Sequence, residues 1–265
     1  MLALPFQRPF LIGVVHLLPT PGSPGYAPSS GSWLARARED ADALVAGGCH
    51  GLIVENFGDT PFFPDHVPAE TIASLALGLS TVIEGAQGIP VGVNVLRNDA
   101  RAALGLCAAT GASFLRVNVH TGAMITDQGL IEGQAAQTLR ERQRLQLTTP
   151  ILADVHVKHA VPVATESIAD AARDAVHRGH ADALVVSGSA TGSPADMQDL
   201  QVVREAVGPG IPILVGSGCT LDNVTQCLDW ADGLIVGTAL KQDGDVHRAV
   251  DVDRVRALVS AVESA

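Results

Sequence analysis

The residues of this 265-residue chain best suited to chemistry alternate with apolar ones along one short run. Asp154, His156 and Lys158 occupy every second position toward the end of the run 150–158. Side chains alternate between the two faces of a β-strand, so a strand here would present all three on one face. A carboxylate, an imidazole and an amine can transfer protons, and an amine of lowered pKa can also attack a carbonyl carbon. We therefore predict that these three residues are catalytic.

Two neighbouring runs show the same polar alternation. Arg116 and Asn118 share a face of the run 113–120, and Asn94 lies between two valines in the run 90–95. A buried charge without a partner is costly, so these residues form either an internal ion-pair layer or a functional site. They concentrate toward the carboxyl ends of their runs, where parallel-strand enzymes place their sites, and we favour a role in orienting a substrate.

Two further runs end in residues that often act as acids or bases. His16 ends the run 10–16 and Glu55 ends the run 51–55. Either residue is a candidate to complete a proton-transfer set, although a solvated strand-end residue is an equally good interpretation of His16. A metal site built from these two with His120 and His156 is a weaker alternative, because no short metal-ligand spacing supports it. We predict no metal and no cofactor.

Glycine-rich turns follow the last two apolar runs. Such turns commonly bind phosphate in a barrel of parallel strands, because bare backbone N–H groups and a helix N-terminus face the anion. A helix starting near residue 221 would add its dipole. Tight turns without a ligand are the alternative. The predicted phosphate-binding residues are Gly216, Ser217, Gly218, Gly237 and Thr238.

The two lysines have an unusual placement. Only two of the 17 Lys and Arg residues are lysines, Lys158 and Lys241, and each lies at or just beyond the end of a predicted strand. Random surface placement would favour helices, which expose more residues, although coincidence is an alternative for a set this small. Lys241 lies about one turn beyond Thr238, so we predict that its charge screens the bound phosphate.

A loop of small residues, 187–193, follows the sixth run. Its hydroxyl groups and exposed amides suit an anion or a sugar. Ser187 and Thr191 are therefore predicted to contact the substrate, with a merely flexible connection as the alternative.

Aromatic residues concentrate in or beside the loops that follow the first two runs. There they would either cover a bound ligand or form a contact between copies of the chain. We predict a homo-oligomer on this basis. These aromatic residues are Tyr26, Trp33, Phe57, Phe62 and Phe63.

The elements that must position these residues are eight short apolar runs that alternate with helical patterns. Runs nearly continuous in Val, Ile and Leu are typical of parallel strands buried on both faces. Eight such βα units predict a single domain, residues 1–265, folded as a TIM-type (β/α)₈ barrel, with an open doubly wound sheet as the rival. The predicted strands are 10–16, 51–55, 90–95, 113–120, 150–158, 182–187, 211–216 and 233–237. The predicted helices are 33–46, 71–84, 99–110, 134–147, 167–178, 195–207, 221–230 and 252–262.

Composition excludes several classes of function. The net charge is −11 and no basic run occurs, which disfavours binding to nucleic acid or to anionic lipid. No apolar run approaches the ~18 residues that span a bilayer, so we predict a cytoplasmic protein without a transmembrane segment. The 4 cysteines form no CxxC pair, which is typical of buried thiols in a reducing compartment.

Longer motifs occur in order along nearly the whole chain. Among them are 13–19, 55–59, 94–99, 116–118, 126–129, 154–159, 187–192 and 237–241. Together they resemble the BtpA family. The resemblance implies a barrel of the ribulose-phosphate-binding type, and it associates some members with the stability of photosystem I proteins. It attaches no reaction to the chain.

Two functions follow from these observations. The first is an enzyme acting on a small phosphorylated or sugar-like molecule by acid–base chemistry, as an isomerase, a lyase or a glycosidic hydrolase. The second, implied by the resemblance, is a non-catalytic assembly or stability factor of the photosystem I biogenesis type. A charged constellation at the strand ends favours the enzyme, because an assembly factor has no need of one.

Overall fold

The chain forms a closed barrel of parallel strands. The computed structural model describes residues 1–28, 33–164, 167–188 and 196–265. In chain order the strands are β1 (Phe10–His16), β2 (Gly51–Glu55), β3 (Val91–Asn94), β4 (Phe114–Val117), β5 (Ala123–Thr126), β6 (Gly129–Glu132), β7 (Ile151–Val155), β8 (Ala160–Pro162), β9 (Ala183–Val186), β10 (Ile213–Val215) and β11 (Gly233–Val236). Within the described residues, eight parallel strands close into a barrel in the order β1-β11-β10-β9-β7-β4-β3-β2, which confirms the predicted TIM-type barrel.

Helices follow the barrel strands and cover the outside. Several begin at an aspartate whose carboxylate caps the first turn, as Asp99 does by accepting from Ala102 N and Asp251 by accepting from Asp253 N. None of the helices in the described ranges combines the length and the apolar character needed to cross a membrane. The helices are α1 (Trp33–Ala46), α2 (Ala69–Gly85), α3 (Ala100–Thr110), α4 (Ala135–Arg144), α5 (Ile168–His177), α6 (Met197–Val207), α7 (Val224–Leu228) and α8 (Val252–Glu263).

The barrel interior changes from apolar to polar along its axis. Inward-facing Phe10, Phe114 and Leu152 fill the amino-terminal part, where Phe6 stacks on Phe10 with ring centroids 4.7 Å apart. Outward-facing residues of the same strands, such as Leu11, pack against the helices in a second core. These apolar side chains form the core of the amino-terminal part of the barrel, and polar side chains occupy the layer at the carboxyl ends of the strands.

A small antiparallel sheet, absent from the sequence prediction, lies outside the barrel in the order β6-β5-β8. β5 pairs with β6 along one edge and with β8 along the other, where Ile125 lies opposite Val161. On its buried face, Met124 and Ile131 pack with Val157. The sheet therefore holds the backbone beyond β7 in place.

The fifth barrel strand is shorter than predicted. β7 ends at Val155, three residues before Lys158. His156 has a φ of 49°, in the left-handed region, so the extended backbone stops there. The every-second-residue alternation predicted for Asp154, His156 and Lys158 consequently does not continue past Asp154.

Candidate active site at the barrel mouth

An arginine and an aspartate form the centre of the polar layer. Arg116 on β4 donates from Nε and Nη2 to the two carboxylate oxygens of Asp154 on β7, at 2.7 and 2.8 Å. Their side chains are 3% and 0% exposed. Burial lowers the pKa of Arg116, but the carboxylates of Asp154 and Glu55 outweigh that effect and hold the pKa above its ordinary value. Arg116 is therefore a fixed cation, and Asp154 is its buried counter-ion.

Glu55 joins this layer from the end of β2. Its Oε1 accepts from Asn94 Nδ2 at 3.1 Å and from Arg116 Nη1 at 3.5 Å, and its Oε2 lies 3.9 Å from His16 Nε2. Burial lowers the pKa of His16 to about 3, so its imidazole is neutral near pH 7 and the contact with Glu55 is not an ion pair. Gly237 accommodates the ring, because a Cβ there would lie 2.6 Å from His16 Cε1.

Lys158 lies in the loop after β7. Its carbonyl oxygen accepts from Arg97 Nη2 at 2.6 Å, which holds the backbone of that loop. Its amine makes no hydrogen bond or ion pair with any residue of the described ranges. Burial lowers the pKa of Lys158, and the positive charge of Arg116 lowers it further, against the opposing effect of Glu55. A lysine of lowered pKa is neutral more often and is a better base and nucleophile.

A first cavity, of about 420 Å³, lies between the polar layer and the turns after β10 and β11. Within the described part of the chain, the backbone N–H groups of Gly218, Thr238 and Ala239 on its wall have no hydrogen-bond partner. Gly218 has a φ of 72°, a conformation that favours glycine. Unpaired N–H groups of this kind are available to an anion. The predicted phosphate-binding residues that line the cavity are Gly216, Ser217, Gly218, Gly237 and Thr238.

A second cavity, of about 610 Å³, lies on the other side of Arg116. It shares Glu55, Arg116 and Lys158 with the first cavity, so these three side chains form the boundary between the two. On its wall, Asn118 donates from Nδ2 to Asp154 Oδ2 at 3.1 Å, while Asn118 Oδ1 has no partner among the described residues. Its wall also includes Phe57, Phe62, Asn94, Arg97 and Asp127.

The model of the BtpA family matches residues 7–264. The chain belongs to the BtpA family. A relative from Synechocystis sp., the photosystem I biogenesis protein BtpA, is 44% identical over 255 residues, which cover 95% of this chain and 87% of that protein.

Solved structures of low sequence identity share the fold with this BtpA family member. N-(5'-phosphoribosyl)anthranilate isomerase from Pyrococcus furiosus matches with a TM-score of 0.61 at 13% identity, covering 97% of this chain and 100% of that chain. Orotidine 5'-phosphate decarboxylase from Pyrococcus horikoshii matches with a TM-score of 0.56 at 14% identity, covering 96% and 99%. These likenesses concern the barrel alone.

Two asparagine side chains join the loops of the mouth to one another. Asn56 Oδ1 accepts from Leu96 N at 2.8 Å, and Asn98 Oδ1 accepts from Val119 N at 2.8 Å. The loops after β2, β3 and β4 are thereby linked through amide side chains. Arg97, which the sequence analysis did not single out, is placed between these two bridges and lines the second cavity. Its position in the short loop after the strand-end residue Asn94 was the available signal.

The structure does not bring the predicted catalytic trio together. Asp154 is fully buried behind Arg116 and therefore positions that guanidinium. His156 lines a separate cavity of about 320 Å³ beside the small sheet and α5, and its Nε2 has no partner among the described residues. The positive φ of His156 is the reason, because it ends the strand before the ring can follow Asp154. Of the three residues, Lys158 alone lines the two central cavities.

The second lysine is not available to a ligand. Lys241 Nζ donates to Asp40 Oδ2 at 2.6 Å, and both side chains are 1% exposed. Burial lowers the pKa of Lys241, while Asp40 opposes that shift. The predicted screening of a phosphate by Lys241 is corrected accordingly: a buried ion pair with α1 occupies its charge.

Arg254, a residue that sequence reasoning missed, lines the first cavity from the first turn of α8. Its Nε donates to the carbonyl oxygen of Lys241 at 3.1 Å, which orients the guanidinium. The signal in the sequence was weak, because the arginine lies 16 residues beyond Thr238, in a separate amphipathic helix. Only the packing of α8 against the end of the barrel brings it to the glycine turns.

The helix after the first glycine turn is shorter than predicted. α7 begins at Val224 instead of near residue 221. Thr220 N donates to Asn223 Oδ1 at 2.8 Å, and Asn223 Nδ2 donates to Gly218 O at 2.9 Å. The turn is thus closed by an asparagine side chain, and the N–H of Thr220 is not offered to an anion.

The predicted contacts from the loop 187–193 are described only at its start. Ser187 lies beside Gly216, where a Cβ would be 2.6 Å from Ser187 Oγ, and this hydroxyl has no partner among the described residues. Thr191 lies outside the described residues, as do residues 29–32 of the first loop and residue 195 of the predicted sixth helix.

The four residues considered for a metal site do not converge. Within the described ranges, no group of three or more His, Cys, Asp and Glu side chains is arranged to hold a metal ion. His16 and Glu55 meet at the first cavity, but His120 Nε2 lies 2.8 Å from Gly179 O and His156 lines the separate cavity.

Proposed function

We propose that this protein is an enzyme that acts on a small phosphorylated, sugar-like substrate at the mouth of the barrel. The observation that carries the proposal is the pair of cavities that meet at Glu55, Arg116 and Lys158. A substrate with a phosphate at one end and oxygen functions at the other would occupy both cavities. Its reacting atoms would then lie at the boundary, beside the groups able to move protons.

The phosphate end of the substrate would occupy the first cavity. The N–H groups of Gly218, Thr238 and Ala239, which have no partner among the described residues, are donors that an oxyanion would satisfy. Arg254 would add a positive charge and a planar set of donors suited to phosphate oxygens. A chain with a net charge of −11 has no general attraction for anions, so a phosphate site here depends on these local groups.

The reacting end of the substrate would lie against Lys158, Glu55 and His16. An amine of lowered pKa, a carboxylate and a neutral imidazole can take and return protons, which isomerisation, carbon–carbon lysis and glycosidic cleavage all require. Asp154 would act indirectly, by holding the guanidinium of Arg116 in place. In this proposal the groups that orient the substrate are Asn94, Arg97, Arg116 and Asn118.

Two considerations support an enzyme over the alternative, an assembly factor of the photosystem I biogenesis type. An assembly factor requires an exposed interaction surface and gains nothing from charges buried at the barrel mouth, which cost folding free energy unless paired. The names of both similar barrels also contain a phosphorylated compound, phosphoribosylanthranilate in one and orotidine 5'-phosphate in the other.

The experiment that tests this function measures binding of inorganic phosphate by calorimetry to the wild type and to Gly218→Val. We expect the variant to bind phosphate at least about tenfold more weakly, a loss of about 1.4 kcal/mol, because the side chain would fill the anion cradle and strain the turn. Gly111→Val is the matched control. Gly111 has a φ of 78°, and a Cβ there would meet no atom within 4 Å.

The Gly111→Val control distinguishes the effect of backbone strain at a positive φ from loss of the phosphate site. Gly111 follows α3 at the opposite end of the barrel, so its variant should be less stable yet bind phosphate as the wild type does. Undiminished binding by Gly218→Val would remove the basis for a phosphorylated substrate and shift preference to the assembly factor.

We further propose that the protein is cytoplasmic and forms a homo-oligomer. The prediction of an oligomer came from the aromatic residues of the first loops, of which Phe57 and Phe62 line the second cavity while Phe63 is 53% exposed. Light scattering at concentrations on the order of tens of micromolar tests association, and a monomer there would reject it.

A further inference from the structure

Lys158 has a position and a chemical state that suit attack on a carbonyl carbon as well as proton transfer. It lines both central cavities, next to Glu55 and Arg116. Its backbone is anchored by Arg97, and its amine makes no hydrogen bond or ion pair with the described residues. Lys158 is half-buried where the two cavities meet, so a ligand in either cavity would lie beside its amine.

We propose that Lys158 forms an imine with a carbonyl carbon of the substrate, so that the substrates are phosphorylated aldehydes or ketones. The inference rests on the proposed function, which supplies the phosphate site. It narrows that function from a general class of sugar-like phosphates to those with a free carbonyl group.

The chemical step balances with groups on the cavity walls. The neutral amine of Lys158 attacks the carbonyl carbon and forms a carbinolamine. Glu55 takes a proton from the attacking nitrogen and returns it to the carbinolamine oxygen. Both amine hydrogens finally leave with that oxygen as water, which forms the C=N bond and restores the carboxylate. No oxidant, reductant or metal is needed.

The surroundings of Lys158 favour this step. Burial and the adjacent charge of Arg116 lower the pKa of the lysine, so a larger fraction is in the nucleophilic neutral form near pH 7. Asn94 and Asn118 of the polar layer contribute amide groups to the cavity wall. These amides are not nucleophiles, so they do not compete with the lysine amine for attack on the carbonyl carbon. The imine would also place the substrate next to the polar boundary, with its phosphate directed toward Gly218.

The chain contains its own control, because its only lysines are Lys158 and Lys241. Lys241 is 1% exposed and hydrogen-bonded to Asp40, so a carbonyl compound in solution should not reach it. Any adduct on lysine can therefore be assigned by peptide mapping of the unmodified wild type, even if a lysine variant proved unstable.

The test incubates the wild-type protein with dihydroxyacetone phosphate and sodium borohydride, which reduces an imine to a stable secondary amine. We expect one adduct per chain on the Lys158 peptide and none on Lys241. Excess inorganic phosphate should suppress the labelling, and unphosphorylated dihydroxyacetone should label much less. Lys158→Met, checked for folding by thermal unfolding, should not be labelled.

The outcomes distinguish this inference from the function on which it rests. Phosphate binding without any adduct on Lys158 would overturn the imine and leave the phosphorylated-substrate enzyme in place. Failure of the wild type to bind phosphate in the calorimetric test, or undiminished binding by Gly218→Val, would overturn the function itself. Equal labelling by the unphosphorylated ketone, or labelling of Lys241 or the N-terminus alone, would also overturn the inference.

Discussion

The buried ion pair at the barrel mouth makes a quantitative prediction. Asp154→Asn keeps the shape of the side chain and one of its acceptors but removes the negative charge that Arg116 contacts at 2.7 and 2.8 Å. Arg116 is 3% exposed and cannot turn to water, so its charge would lose its main counter-ion. The folded state should lose stability, while the unfolded state, in which both residues are hydrated, should change little.

The expected magnitude follows from burial. Removing one partner of a buried ion pair costs about 3–5 kcal/mol. Glu55 remains 3.5 Å from Arg116 Nη1 and offsets part of the charge, so we expect about 3 kcal/mol. Unfolding entropy of roughly 2.1 cal/mol/K per residue gives about 0.56 kcal/mol/K for a chain of this length. The corresponding fall in Tm is about 5 °C.

Thermal unfolding followed by circular dichroism or calorimetry measures this change. The matched control is Asp42→Asn, which removes the same charge from a pair with Arg38 at 2.8 Å whose side chains are 47% and 50% exposed. Exposed pairs contribute little, so the control should lower Tm by no more than about 1 °C. If Asp154→Asn and Asp42→Asn lowered Tm by the same amount, the argument that a desolvated ion pair stabilises the barrel mouth would be refuted.

Three further predictions concern the other charged groups. Arg254→Gln should weaken phosphate binding in calorimetry by roughly tenfold or more, whereas Arg256→Gln, 58% exposed on the same helix, should not. Lys241→Met should lower Tm by removing the buried partner of Asp40 Oδ2, with Arg36 as the remaining ion-pair partner, yet leave phosphate affinity unchanged. Because the pKa of His16 is lowered to about 3, the unfolded state binds more protons below pH 6.5, so stability falls as pH drops. In denaturant titrations between pH 6.5 and 4, the free energy of unfolding of His16→Gln should therefore fall less steeply with decreasing pH than that of the wild type. An equally steep fall in the two proteins would contradict the lowered pKa of His16.

Part of the fold could be predicted because it follows from local patterns. Short runs rich in Val, Ile and Leu, alternating with amphipathic segments, indicated eight parallel strands, and the barrel order confirms them. Alternation along a strand also placed Arg116 on the inner face and Glu55 and Asn94 at the strand ends. These positions depend only on the period of two and on burial of both faces, which a sequence displays directly.

The small sheet could not be predicted in this way. Its strands are three or four residues long, and β5 pairs with β8 across more than thirty residues of intervening chain, as Ile125 does with Val161. Such pairing is stabilised by burial of Met124 and Ile131 against the end of the barrel, not by local propensity. Its effect reaches the site, because the backbone it holds beyond β7 carries Lys158.

The sequence by itself determined the family, the barrel, the glycine turns and the polar layer at the strand ends. Only the tertiary structure decided which charged groups reach a ligand. A positive φ directs His156 into a separate cavity, a buried carboxylate on α1 occupies Lys241, and the packing of α8 brings Arg254 to the glycine turns. Desolvation explains why the sequence alone could not decide this. A buried charged group needs a partner, and both its burial and its partner come from segments that are distant in sequence.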